Sequence, residues 1–155
     1  MSSPEQRLAE LGLTLPTDAG PLAAYVPAVR TGNLVFTAGQ LPRRDGELLA
    51  AGKVGGEVGA DEAKELAAVC ALNALAAVKG EVGDLANVRR VVKVVCFVAS
   101  APEFTGQPAV ANGASELLGE VFGDAGQHAR SAVGVAALPL DAPVEVELVV
   151  EVRPA

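Results

Sequence analysis

His128-Ala129-Arg130-Ser131-Ala132-Val133-Gly134-Val135-Ala136-Ala137-Leu138-Pro139, followed by Val144-Glu145-Val146-Glu147-Leu148-Val149-Val150, is the stretch whose reading decides the fold. Apolar residues recur at period two in both halves, and Pro139 with Pro143 brackets the break, so each half predicts a strand. In the second, Val144, Val146, Leu148, Val150 and Val152 share one face, while Glu145, Glu147, Val149, Glu151 and Arg153 share the other. A row of carboxylates therefore stands on a strand whose back is core, with one arginine, Arg130, at the entrance of the strand before it.

Working outward, Val88 to Ala99 is β-branched and alternating, which predicts a central strand with Val92, Val94, Cys96 and Val98 opposed to Val91, Lys93, Val95 and Phe97. Helices are expected on either side of it, from Asp61 to about Val78, with Gly80 and Gly83 as stops, and from Pro108 to Phe122, closed by Gly123. Residues 25–30 and 34–38 predict a hairpin turning at Thr31-Gly32-Asn33, with Pro27 suited to an edge. Arg43-Arg44-Asp45-Gly46 is turn-like, and 47–59 predict a loop with a short strand. Ser3-Pro4-Glu5-Gln6 is a capped helix start that Gly12 can end, and 13–22 form a connection. The order helix, β, β, loop, α, β, α, β, β predicts an α+β layer, two helices on one sheet.

At 155 residues the chain fits one domain, 1–155, with a helical extension over 1–22 and a core over 23–155. Half the residues are hydrophobic but only 3% aromatic, so Val, Leu and Ala must build the core. The uncovered sheet face would still carry Val95, Phe97, Val133 or Gly134, and Val149, too apolar to stay wet, and self-association is the simplest cover. No apolar run suits a bilayer and the start resembles no signal sequence, so the expected location is cytoplasmic with no membrane partner. A net charge of −7 with scattered basic residues argues against nucleic acid as partner. Cys70 and Cys96 read as small buried hydrophobes, and the absence of CxxC or paired histidines argues against a metal site.

Arg130-Ser131-Ala132-Val133, Leu138-Pro139 and Val144-Glu145-Val146-Glu147 resemble the C-terminal signature of the Rid (YjgF) family of reactive-intermediate deaminases. A second similar block is Tyr25-Val26-Pro27-Ala28-Val29, Gly32-Asn33-Leu34-Val35-Phe36 and Ala38-Gly39-Gln40-Leu41-Pro42. The blocks extend over about 23–152, and Asn112-Gly113-Ala114-Ser115 with the N-terminal segment resembles a side branch. The resemblance implies a chorismate-mutase-like fold, a homotrimer whose sheets face inward, and sites between subunits. It also implies cofactor-free hydrolysis of a carboxylate-bearing enamine or imine, of 2-aminoacrylate type, to a 2-oxo acid and ammonia.

On that resemblance Arg130 holds the substrate carboxylate and Glu145 directs the water, with Glu147 second. Tyr25, Gly39, Ala132, Phe104 and Asn112 line the pocket. From pattern alone each has a plainer role: Arg130 and the glutamates as solvated charges, Tyr25 as a half-buried aromatic, Gly39 as a turn residue, Asn112 and Phe104 as cap and core. Ala132 stands where relatives often carry Cys or Thr, and Ala38 where many carry Ser. If the last two strands pair antiparallel, Arg130 and Glu145 lie on the order of 20 Å apart along the sheet, which only a second subunit can close. His128, the sole histidine, reads as exposed or capping, and a two-histidine ribonuclease mechanism is unavailable. The alternatives are a non-catalytic trimer binding a small carboxylate or keto acid, and an endoribonuclease-like protein.

Overall fold

The computed structural model describes residues 2–17 and 24–155. Helix α1 (Pro4–Glu10) begins as its sequence demands: Ser3 accepts from the Gln6 amide, the Gln6 side chain accepts from the Ser3 amide, and Pro4 fills the first turn. Gly12 leaves the helix at φ +73. The connection expected over 13–22 lies partly outside the described residues, which omit 18–23.

Strands β1 (Ala28–Thr31) and β2 (Leu34–Thr37) form the expected hairpin, with Gly32 supplying the positive φ between them. The segment read as a turn is a second, minimal hairpin, β3 (Arg43–Arg44) and β4 (Glu47–Leu48), closed by Asp45 and Gly46 at positive φ. Helix α2 (Ala60–Val82) runs through Gly80 and stops at Gly83. The shorter expectation fails because a single exposed helical glycine costs only about 1 kcal/mol, which the docked Ala-rich face offsets. Strand β5 (Val88–Ala99), helix α3 (Gln107–Phe122), strand β6 (Ala129–Val135) and strand β7 (Val144–Val152) complete the chain.

The main sheet has the order β1-β2-β7-β5-β6. Both helices pack on one face, which receives Val144, Val146, Leu148, Val150 and Val152 of β7 and Val94, Cys96 and Val98 of β5, all buried. Ala63, Ala67, Ala71 and Ala74 face them with no exposure, so α2 sits close to the sheet. A mixed α+β domain with this layering is the architecture expected. Two local details depart from it. Register shifts between Val88 and Arg90 and between Val91 and Lys93 move Val91 onto the buried face, out of phase with the alternation read from the sequence. The last two strands are also not neighbours: β6 pairs parallel to β5, and β5 lies between β6 and β7. The segment Pro139–Asp141 is a helical turn, and β6 ends at Val135 rather than continuing to Leu138.

The opposite face carries Glu145, Glu147, Val149 and Glu151 of β7, half-buried, beside Val95 and Phe97 of β5. Val29, Phe36 and Val133 stand exposed on it, fixed there by the pairings Val29–Phe36, Phe36–Val149 and Phe97–Val133. No helix among the described residues is long and apolar enough to cross a membrane.

Candidate functional site

Arg130 lies on β6 in register with Val94, so its side chain leaves the sheet on the helix-bearing face. There α3 holds it. Arg130 Nη1 donates to Asn112 Oδ1 at 2.8 Å and to Ser115 Oγ at 3.1 Å, and Nη2 donates to the Pro108 carbonyl at 3.4 Å. All three acceptors are neutral. Among the described residues no carboxylate pairs with this guanidinium, so its full charge and its Nε–H remain available at the edge of the sheet. Ala132 follows on the same face, in register with Cys96. Burial pushes the Cys96 thiol up to about 12, with the charge of Arg130 pulling the other way. That thiol is inert packing.

Asn112 is therefore not a cap; it sits inside α3 and aims its amide oxygen at Arg130. Phe104 is part-buried against the core, its ring seated where the missing side chains of Gly55 and Gly106 leave room. The Gln107 amide fixes the approach to α3 by donating to the Phe104 carbonyl at 2.9 Å and to Ser100 Oγ at 3.1 Å.

The second group gathers towards the opposite edge of the sheet. Gly39 follows β2, and Gln40 bridges to Val146 through a pair of backbone hydrogen bonds. That bridge lays the Gly39 Cα against Glu145: a Cβ at Gly39 would overlap Glu145 Oε1. Only glycine permits the carboxylate to rest there. Tyr25 and Gly39 line a cleft of about 430 Å³ together with Leu41, Asn73 and Leu140. Tyr25 is 54% exposed, more open than the half-buried aromatic expected. Burial first, and then the charge of Glu147, raises the Glu145 carboxyl above its ordinary 4.5. No cation among the described residues pairs with Glu145 or Glu147.

Within one protomer these groups do not meet. Arg130 is in register with Val94 and Glu145 with Phe97, so they lie about 10 Å apart along the strands and about 10 Å across them. This corrects the expected separation along a shared ladder. The decisive obstacle is orientation: Arg130 points to the helix side and Glu145 to the open side.

Sequence reasoning gave Ser115 no role and read His128 as exposed or capping. His128 is part-buried rather than exposed: its Nε2 lies 2.8 Å from Ser115 Oγ and its Nδ1 2.6 Å from the Gly126 carbonyl. The signal was present as spacing. His128, just before β6, is two residues from Arg130, and Asn112 and Ser115 are three apart on a helix and share a face. Among the described residues no three His, Cys, Asp or Glu side chains converge as a metal site requires.

A mixed sheet under two helices, with Arg130 at one edge and Glu145 on the open face, neither in an ion pair among the described residues, defines a small α+β domain. The chain belongs to the endoribonuclease L-PSP family, also called the YjgF or Rid family, whose pattern matches residues 17–152. It is 44% identical to protein TCP17 of Trypanosoma cruzi over 147 residues, 94% of this chain and 92% of that one. A crystal structure of Agrobacterium tumefaciens Atu1372, a protein of unknown function, is 47% identical and superposes with a TM-score of 0.89, covering 96% and 91% of the two chains. E. coli TdcF, solved with bound serine, is 25% identical with a TM-score of 0.65, covering 90% and 95%.

Proposed function

We propose that this protein is a cofactor-independent enamine/imine deaminase acting on 2-aminoacrylate-type intermediates, with its sites between the subunits of a homotrimer. The observation that carries the reading is Arg130: a guanidinium steadied by three neutral acceptors, with no carboxylate partner among the described residues, is an open socket for a ligand's carboxylate. Glu145 is its complement. A carboxyl raised towards neutral pH can take a proton from water and return it to a leaving amine. The enamine tautomerises to the imine, and water adds to the imine carbon as Glu145 takes one of its protons and hands it to the nitrogen, giving a carbinolamine. Glu145 then takes the hydroxyl proton and passes it to the same nitrogen, and the C–N bond breaks to release ammonia. A 2-oxo acid remains. Such imines hydrolyse unaided, so positioning supplies enough of the rate.

Because Arg130 and Glu145 point to opposite faces, the carboxylate anchor of one copy is paired with the water-directing group of another. The exposed Val29, Phe36 and Val133 give the open face a reason to be covered by further copies. Tyr25 and Gly39 shape the pocket beside Glu145, Phe104, Ala132 and Asn112 that beside Arg130, and Glu147 stands as reserve to Glu145. Localisation in the cytoplasm, beside the enzymes that release such intermediates, fits this role.

The test couples the protein to a dehydratase that releases imines and follows their disappearance. Arg130→Ala should abolish both acceleration and binding of a 2-oxo acid, and Glu145→Gln should abolish acceleration while binding persists. A second reading, a trimer that binds small carboxylates without turnover, is favoured by the serine bound to TdcF. It predicts binding that depends on Arg130 with no acceleration by wild type. The ribonuclease in the family's description has less support here, since the chain carries −7 and a single histidine.

A further inference from the structure

Behind Arg130 runs a chain of hydrogen bonds that the proposed chemistry does not use. The Gly126 carbonyl can only accept, so at 2.6 Å it fixes the proton of His128 on Nδ1. In the neutral ring Nε2 is then an acceptor, and the Ser115 hydroxyl, 2.8 Å away, must donate to it. With its hydrogen committed, Ser115 Oγ presents lone pairs to Arg130 Nη1 at 3.1 Å. The other Nη1 hydrogen goes to Asn112 Oδ1 at 2.8 Å, and one Nη2 hydrogen to Pro108 O at 3.4 Å. What remains is the Nε–H and one Nη2–H. Two such parallel donors are what a carboxylate accepts bidentately.

We infer that His128 is a positioning residue: acting through Ser115, it sets the plane of the Arg130 guanidinium so that the Nε–Nη2 edge meets the ligand's carboxylate. The inference rests on the reading of Arg130 as carboxylate anchor. Without the imidazole, the Ser115 hydroxyl is free to rotate, and Nη1 loses an acceptor of fixed direction. Ser115 and His128 also have the spacing of a nucleophile and its base. That role is disfavoured here, because the Arg130 Nη1–H takes one lone pair of the oxygen that would attack and the guanidinium charge draws electron density from it.

Titration calorimetry with 2-oxobutanoate, and with 2-oxobutanamide as the analogue lacking a carboxylate, separates positioning from general disruption. His128→Leu should weaken 2-oxobutanoate roughly tenfold, the effect of losing one hydrogen bond to a charged group. It should leave 2-oxobutanamide unchanged. His128→Gln, whose amide oxygen replaces Nε2 as acceptor, should restore most of the affinity. In a Ser115→Ala background His128→Leu should add nothing, because the chain is already cut. If Arg130→Ala leaves 2-oxobutanoate affinity intact, the anchor reading falls and this inference with it. If Arg130→Ala weakens binding, three results overturn the positioning role alone: folded His128→Leu that binds as wild type, equal loss for the amide, or a full effect of His128→Leu in the Ser115→Ala background. Should His128→Leu not fold, Ser115→Ala carries the test, with the same tenfold loss expected and unchanged affinity overturning it.

Discussion

At the scale of single residues, Glu145 is held in a state that opposes stability. Desolvation, and after it the charge of Glu147, raises its carboxyl above 4.5, so the fold grips the proton more tightly than the unfolded chain does. The sign follows from linkage. The contribution of this group to stability is complete below the unfolded value near 4.5 and is lost as pH rises through the raised folded value. When ionised, the carboxylate is a net burden, and the role proposed for it in directing water gives a reason for its being kept. Glu145→Gln should therefore melt at a higher temperature than wild type at pH 7, with the gap closing as the pH falls through the carboxylate range. Thermal scans across that range, on ligand-free protein, check it. A Gln variant that is less stable at pH 7 would mean that a cation of a neighbouring copy already compensates the charge.

At the scale of elements, the contact between α2 and α3 turns on one glycine. Gly113 lies where a Cβ would collide with the Lys64 carbonyl of α2, and backbone cannot step aside as a side-chain tip can. Gly119, six residues later on the same helix, has nothing near its missing side chain. Gly113→Ala should destabilise by about 2 kcal/mol in spite of alanine's better propensity, while Gly119→Ala should stabilise by about 0.5–1 kcal/mol. Urea denaturation of the two variants reads both signs, and equal effects would show that the helices do not meet at Gly113. The same element level marks how far the sequence could be read. Periodicity gave β5, β7 and α3 to within a residue, because one face of each is dry and the pattern records it. It did not give the neighbour of β6, since pairing is a property of two segments and an isolated apolar run does not name its partner. Nor did it give the bulges that carry Val91 to the buried face. Arg130 was legible as a charge in an apolar strand, but its acceptors were not. Asn112 and Ser115 follow strand β5 by more than ten residues, and only the packing of α3 on β6 brings them to it.

At the scale of the whole molecule, the prediction concerns how many chains make one site. The open face of the sheet sets Val29, Phe36 and Val133 beside a row of glutamates, and the Arg130 and Glu145 of one chain look away from each other. Light scattering should report three times the 15.6 kDa chain mass, and Phe36→Asp, which places a charge in the middle of the apolar patch, should give a folded single chain without activity. Oligomer mass alone leaves open whether the interface holds the chemistry. Mixing decides that. Arg130→Ala and Glu145→Gln trimers are each expected to be inactive, since every site lacks one partner. After co-refolding in equal amounts, an interface that takes Arg130 from a Gln-bearing copy and Glu145 from an Ala-bearing copy is intact. Random assembly should therefore restore roughly a quarter of wild-type activity. Sites complete within one chain restore nothing on mixing, because each chain keeps its own defect, so mixtures as inactive as their parents would sink the shared site while leaving the trimer standing.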